Sequence, residues 1–448
     1  MKNKSLLAIL HISLLLLLLI SCKKENAKIQ IETKEYHNLI DKITEIMIHD
    51  VFSPPVASRI YVYPNIAAYE ALNSDSKTYK SLSNQLNEFT INKAKTNQRS
   101  INYELSALIA YMDVAKELIF SKKELISYRD SLYNKWKKEN NYDFSISKNH
   151  GLHYAKQVIK WMNKDNYKET RTFPEHNITN KKDDPSQWKP TPPSYMDAIE
   201  PHWNKIRTFA LDSASQFKPS PPPKFSLDKN SKFYKELMEV YEVKNKITGK
   251  GDQSEEIAIA QFWDCNPYVS VNKGHFMFAS KKITPGAHWI GICKIACLQT
   301  KSNFQKTIYA YTRTSIAIAD AFISCWDEKY RSNLVRPETL INNYIDDSWE
   351  PILQTPPFPE YTSGHSVVSG AASETLTYIF GDNFEFIDTT EIPYGLPKRK
   401  FTSFKTAAQE AAISRLYGGI HYKSAIDYGL TQGIAIAKKN KETINYSY

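Results

Sequence analysis

The sequence predicts an all-α protein built of helical bundles. Apolar residues recur at helical spacing in long stretches. Alternating patterns closed by tight Asn-Gly or Asp-Gly turns are missing. Only 14 glycines are spread over 448 residues, too few for a Gly-rich nucleotide fold or for all-β repeats. Hydrophobic residues make up 42% of the chain, which permits a sizeable core and excludes wholesale disorder. At roughly 150 residues per domain, the length allows at most about three. The formal net charge of +10 suits an anionic small ligand or surface. No dense Lys/Arg block with interleaved aromatics appears, so nucleic acid is disfavoured as a partner.

The first 22 residues read as a targeting segment rather than fold. Lys2 and Lys4 open it, Leu6 to Ile20 is almost wholly apolar, and Leu19-Ile20-Ser21-Cys22 closes it. The apolar run is short for a transmembrane span. It resembles a bacterial lipoprotein signal with Cys22 as the lipidated residue, followed by a polar tether over 23–35. The expected location is thus the periplasmic or cell-surface side of the outer membrane, with lipid as the only membrane contact.

Helical periodicity then appears at Leu39, Ile40, Ile43, Ile46 and Met47, and across 60–72, 105–119, 152–162 and 233–241. Between Arg171 and Leu227 the prolines crowd together. This stretch is expected to be a long ordered loop, packed on the helices through Trp188, Tyr195 and Trp203. It belongs to an N-terminal region over 36–303, ahead of a C-terminal domain over 304–448. Cys293 and Cys297 share a helix face, but two further zinc ligands at suitable spacing are missing, so the later cysteines are expected to be buried thiols, with a disulfide in an oxidising compartment as the alternative.

Three C-terminal segments carry chemistry. In the first, Lys329 and Arg336 are seven apart and expected two turns apart on one helix. In the second, a Pro-rich approach ends at Thr362-Ser363-Gly364-His365, with apolar residues at helical spacing after it. Ser363 then caps a helix whose first amides and dipole attract an oxyanion. In the third, Ser414-Arg415 ends one helix, Gly418-Gly419 turns the chain, and His421 opens the next. Together they offer three cations, a hydroxyl, helix-end amides and two imidazoles, a set suited to a tetrahedral oxyanion.

This pattern, Lys-x6-Arg-Pro, Ser-Gly-His and Ser-Arg-x5-His in that order, closely resembles the vanadium-dependent haloperoxidases of the type 2 phosphatidic acid phosphatase superfamily. The N-terminal region, with Phe262-Trp263-Asp264 and Pro285-Gly-Ala-His-Trp289, looks like that of Bacteroidetes-type members. The resemblance implies a haloperoxidase/acid-phosphatase-like bundle carrying the active site and vanadate as cofactor. His421 is the axial vanadium ligand it implies. Lys329, Arg336, Ser363, Gly364 and Arg415 would hold the equatorial oxygens. His365 would be the acid–base residue acting on hydrogen peroxide, and Lys329 would polarise the peroxide oxygen. The family's Pro-Ser-Gly-His is Thr362-Ser-Gly-His here. Its frequent Asp four residues after the last His is Ala425, and Asp427 is off the His421 face, so a backbone carbonyl is expected to orient the ring.

The same residues would serve a phosphatase with His421 as nucleophile and His365 as proton donor. Trp326 and Phe358 resemble the aromatic wall beside vanadate and favour a haloperoxidase that oxidises iodide or bromide. A glycan-binding surface lipoprotein stacking sugars on Trp188, Trp203 and the many tyrosines is the distant alternative. Asp264 is expected to pair with Arg415, and Asp320 to face Lys329 or lie on a helix surface. His275 and His288 are either core histidines or line the entrance.

Overall fold

The N-terminal helices form where the periodicity places them. In this computed structural model, residues 28–95, 101–176, 184–251, 254–267, 270–273, 276–279 and 282–447 are described. Cys22 and His275 lie outside them. Helix α1 (Thr33–His49) buries the Leu39, Ile40, Ile43 and Ile46 stripe. Helix α2 (Pro54–Asn73) starts at Ser53, whose hydroxyl accepts the Val56 N–H. Pro54 and Pro55 occupy the first turn, where a missing N–H loses no hydrogen bond. Every residue of α2 is buried, which makes it the heart of the N-terminal half. Helices α3 (Tyr103–Lys116) and α4 (Lys122–Met162) pack beside it. Asn140 leaves helical geometry and breaks α4.

Among its described residues, the Pro-rich stretch is irregular chain with turns and bends and one 3-10 turn at Trp203–Lys205. Trp188 and Trp203 are buried, but Tyr195 is 63% exposed and is no anchor. The stronger anchor is Asp320. Its carboxylate is buried and accepts the backbone N–H groups of Phe209 (2.7 Å) and Ala210 (3.0 Å). It therefore neither faces Lys329 nor lies on the surface. Nine helical residues at about 100° each put the two side chains on opposite faces.

Besides one-turn segments at Tyr167–Thr170 and Ile392–Tyr394, the remaining helices described are α5 (Lys232–Thr248), α6 (Glu255–Phe262), α7 (Pro285–Gln299), α8 (Phe304–Ser332), α9 (Pro337–Tyr344), α10 (Gly364–Phe380), α11 (Phe404–Tyr417) and α12 (Lys423–Thr443). Two short antiparallel hairpins interrupt them. Strands β1 (Ser270–Lys273) and β2 (Phe276–Ala279) pair Ser270 with Ala279, and β3 (Phe386–Asp388) and β4 (Arg399–Phe401) pair Phe386 with Phe401.

Helix α8 is the spine, contacting α2 on one side and α10 and α12 on the other. One apolar core consequently extends from Ile29 to Tyr446. Helices α10 and α12 lie backbone to backbone. A Cβ on Gly433 would collide with the Val367 carbonyl, and one on Gly370 with the Leu430 carbonyl. Cys265, Cys293, Cys297 and Cys325 are free and buried. No helix among the described residues is long and apolar enough to cross a membrane.

Candidate active site

The three C-terminal segments meet at one point, though not by the predicted route. Lys329 sits in the last turn of α8, and Asn333 in left-handed geometry (φ 45°) ends that helix. Arg336 then caps the start of α9. The two cations are therefore not on one helix. The sharp turn between them aims both at the segment 356–363.

Main-chain carbonyls hold these cations. Lys329 Nζ donates to the Pro359 (2.9 Å) and Glu360 (3.1 Å) carbonyls. Arg336 donates from Nε to the Phe358 carbonyl (3.0 Å) and from Nη1 to that of Ile420 (2.9 Å). Arg415, in the last turn of α11, donates from Nη2 to the carbonyls of Trp263 (2.7 Å) and Ala260 (3.3 Å). Ser363 caps α10 as predicted, its Oγ accepting the Ser366 N–H. Gly364 follows with the Trp326 ring over it, 3.6 Å from where a Cβ would be.

His421 lies just before α12, after the turn in which Gly419 takes a positive φ of 77°. Its Nδ1 is 2.7 Å from Oε1 of Glu360, which also accepts the Tyr422 N–H at 2.9 Å. The carboxylate of Glu360, not a backbone carbonyl, orients this ring. Asp427 instead pairs with Lys423 at the surface. Glu360 is a functional residue that the sequence reading missed. The available signal was an acid confined between Pro359 and Tyr361 on the approach to the Ser-Gly-His turn. With Nδ1–H donated to Glu360, Nε2 keeps its lone pair and faces Arg336 Nη1 at 3.2 Å. Burial, then the charges of Arg336, Lys329 and Arg415, hold the His421 pKa well below its ordinary value, so the ring is neutral.

His365 is held low in the same way, by burial and then Arg415. Its ring hydrogen-bonds the Trp263 carbonyl, which also accepts from Arg415. Burial lowers Lys329 to about 7 and Arg336 to about 10, and raises Glu360 to about 8. Among the buried polar atoms of this cradle, His365 Nε2, Arg336 Nη2 and Glu360 Oε2 have no partner. A buried polar group left unpartnered costs about 1–3 kcal/mol. A partly protonated oxyanion would answer the first two, one oxygen accepting from Arg336 Nη2 and a hydroxyl donating to His365 Nε2, so the residues present fit a vanadate- or phosphate-like group.

Trp326 and Phe358 stand side by side, with centroids 5.0 Å apart, and form a wall by the cations. Lys329 Nζ is 5.0 Å from the Phe358 centroid and the Arg336 guanidinium 5.2 Å. Two expected neighbours are placed differently. Asp264 forms its ion pair with Lys282 and reaches Arg415 only through its field; the carbonyls hold the guanidinium. His288 is fully buried behind Trp263 and lines no entrance.

Residues 342–447 match the family model described as the VCPO second helical-bundle domain. The chain is similar to a bacterial vanadium-dependent iodoperoxidase of solved structure, with 60% identity and a TM-score of 0.90. That similarity covers 94% of this chain and 98% of the other. A bacterial vanadium-dependent chloroperoxidase in its holo form has the same fold, with 17% identity, a TM-score of 0.66, and coverage of 88% and 93%. A search of curated proteins finds no match.

Proposed function

The chain belongs to the vanadium-dependent haloperoxidase family, and from that premise we propose that it oxidises iodide with hydrogen peroxide to a hypohalous species, with vanadate as cofactor. The observation that carries the site assignment is one cradle. It joins three buried cations, a helix N-terminus, the free Nε2 of His365 and the lone pair of His421 Nε2.

Bound vanadate supplies Lewis acidity at a fixed oxidation state. The chain's residues do the rest. His421, neutral and oriented by Glu360, would hold the vanadium through Nε2. Lys329, Arg336 and Arg415, with the Ser363 hydroxyl and the Gly364 amide, hold the oxygens by charge and hydrogen bonds. Because carbonyls rather than carboxylates fix the cations, their charge stays available to an anion. His365, neutral, accepts a proton from hydrogen peroxide at Nε2 and returns it to the departing oxygen. Trp326 and Phe358 present an apolar face that suits iodide, a large and weakly hydrated anion, beside Lys329.

A phosphohistidine phosphatase would use the same residues, but the high identity to an iodoperoxidase favours the oxidase. The glycan reading loses its two tryptophan platforms, since Trp188 and Trp203 are each 1% exposed and cannot stack on a sugar. Export and lipidation at Cys22, with residence on the periplasmic or outer face of the outer membrane, complete the proposal on the sequence pattern alone.

The test loads purified protein with vanadate and measures iodide oxidation at fixed peroxide. His365→Ala is expected to abolish turnover while vanadate still binds. Hydrolysis of p-nitrophenyl phosphate without any peroxide-dependent iodide oxidation refutes the proposal.

A further inference from the structure

Behind the active site lies a second constellation that the halide chemistry does not use. His288, on α7, is fully buried and stacked on Trp263, with ring centroids 4.4 Å apart. Its Nε2 is 2.8 Å from Oδ2 of Asp388, at the end of β3. Its Nδ1 is 3.2 Å from Oε1 of Glu391 and 3.5 Å from Sγ of Cys265. Cys265 Sγ and Glu391 Oε1 are 3.9 Å apart. All four residues are buried.

These separations are informative. Zinc sits about 2.3 Å from thiolate sulfur, about 2.0–2.1 Å from imidazole nitrogen and about 2.0–2.2 Å from carboxylate oxygen. Around a tetrahedral ion, those bond lengths put neighbouring ligand atoms roughly 3.3–3.6 Å apart. The Cys265–His288–Glu391 triangle, with edges of 3.2, 3.5 and 3.9 Å, is close to that already. Metal-ligating histidines also typically donate their other ring N–H to a carboxylate, the place Asp388 holds. Asp388 is fixed in turn, its Oδ1 accepting from the Thr390 amide (2.9 Å) and hydroxyl (2.6 Å).

We infer that Cys265, His288 and Glu391 form a buried structural site for a divalent transition metal of the zinc class, with Asp388 orienting His288. Charge balance allows it. Without metal, His288 donates from both ring nitrogens to two carboxylates beside a neutral thiol, for a net charge of −1. The ion replaces two protons, one from His288 Nδ1 and one from the Cys265 thiol, and the net charge remains −1. Three protein donors leave one corner for a water molecule or the second Glu391 oxygen. The ion would tie α7 and the β3–β4 connection to the 263–265 turn, whose Trp263 carbonyl holds Arg415 and His365. The inference stands apart from the vanadate reading, because its donors and its measurements differ.

The test uses the full chain, purified after growth with zinc, then stripped and reloaded with Co(II) alone. One zinc per chain is expected, and a thiolate-to-cobalt charge-transfer band in the near ultraviolet. Cys265→Ser should remove the band. Asp388→Asn should weaken Co(II) binding 10–100-fold. A Cys293→Ala/Cys297→Ala variant should keep the band intact. If folded wild-type protein gives no thiolate–cobalt band, and chelation leaves its melting temperature unchanged, the cluster is only a protonated histidine clamped by two acids and the inference is overturned. Loss of the band in the double alanine variant with retention in Cys265→Ser overturns it as well.

Discussion

Replacing Glu360 should separate the orientation of His421 from the general pull of the cradle on anions. In Glu360→Ala, the His421 Nδ1–H (2.7 Å) and the Tyr422 N–H (2.9 Å) both lose their acceptor. The imidazole is then free to place its proton on Nε2, which removes the lone pair needed for an axial bond. Removing such an outer partner typically lowers metal affinity 10–100-fold, or about 1.4–2.8 kcal/mol. The mutation also deletes a carboxyl group near the cations, which by itself favours any anion. Sulfate isolates that second effect, because it takes the cation and amide contacts but forms no axial bond. The assay is therefore a pair of equilibrium titrations, with vanadate and with sulfate. The ratio of vanadate to sulfate affinity should fall 10–100-fold in Glu360→Ala. Glu360→Gln keeps an acceptor oxygen for both donors, and its ratio should stay within a few-fold of wild type. An unchanged ratio in Glu360→Ala refutes the assignment of Glu360 as the residue that positions His421.

Sulfate, whose charge is constant above pH 3, should bind more weakly as pH rises from 6 to 9. Lys329, lowered by burial to about 7, loses its proton over this range, and Glu360, raised to about 8, becomes anionic, so both changes remove positive charge. Titrations at each pH should show up to about tenfold weaker binding per unit per group, and a flat profile overturns the assignment. Gly433→Ala should destabilise the chain by more than about 2 kcal/mol, because its methyl meets the Val367 backbone; an unchanged urea midpoint contradicts the close α10–α12 packing. Asp320→Ala should leave the Phe209 and Ala210 amides unpartnered, at about 1–3 kcal/mol each, and open the 171–227 stretch to limited proteolysis. Unaltered cleavage there argues against Asp320 as the anchor.

The helical class and the anion-binding residues were legible because each rests on local sequence. Periodicity reveals a buried face, and Ser363 ahead of Gly364 and an apolar run is a helix start wherever it occurs. The turn at Asn333 was not legible, since the Lys-x6-Arg spacing suits a continuous helix as well as a break. Asp320 was open to better reading, because helix geometry alone turns it away from Lys329. The Glu360–His421 pair spans 61 positions and the His288–Asp388 pair 100, so only the folded chain brings them together. The two hairpins escaped notice because their strands are three or four residues long, below the length at which alternation is readable.

Lys329, Arg336 and Arg415 take their orientation from peptide oxygens at Pro359, Glu360, Phe358, Ile420, Trp263 and Ala260. Every residue type carries that oxygen. Mutational drift in the side chains at these positions, Glu360 excepted, can therefore retune the size and polarity of the surroundings while the grip on the cations persists. What such lineages must conserve at these positions is the path of the chain, so there insertions and deletions, more than substitutions, are the changes that loosen the cradle.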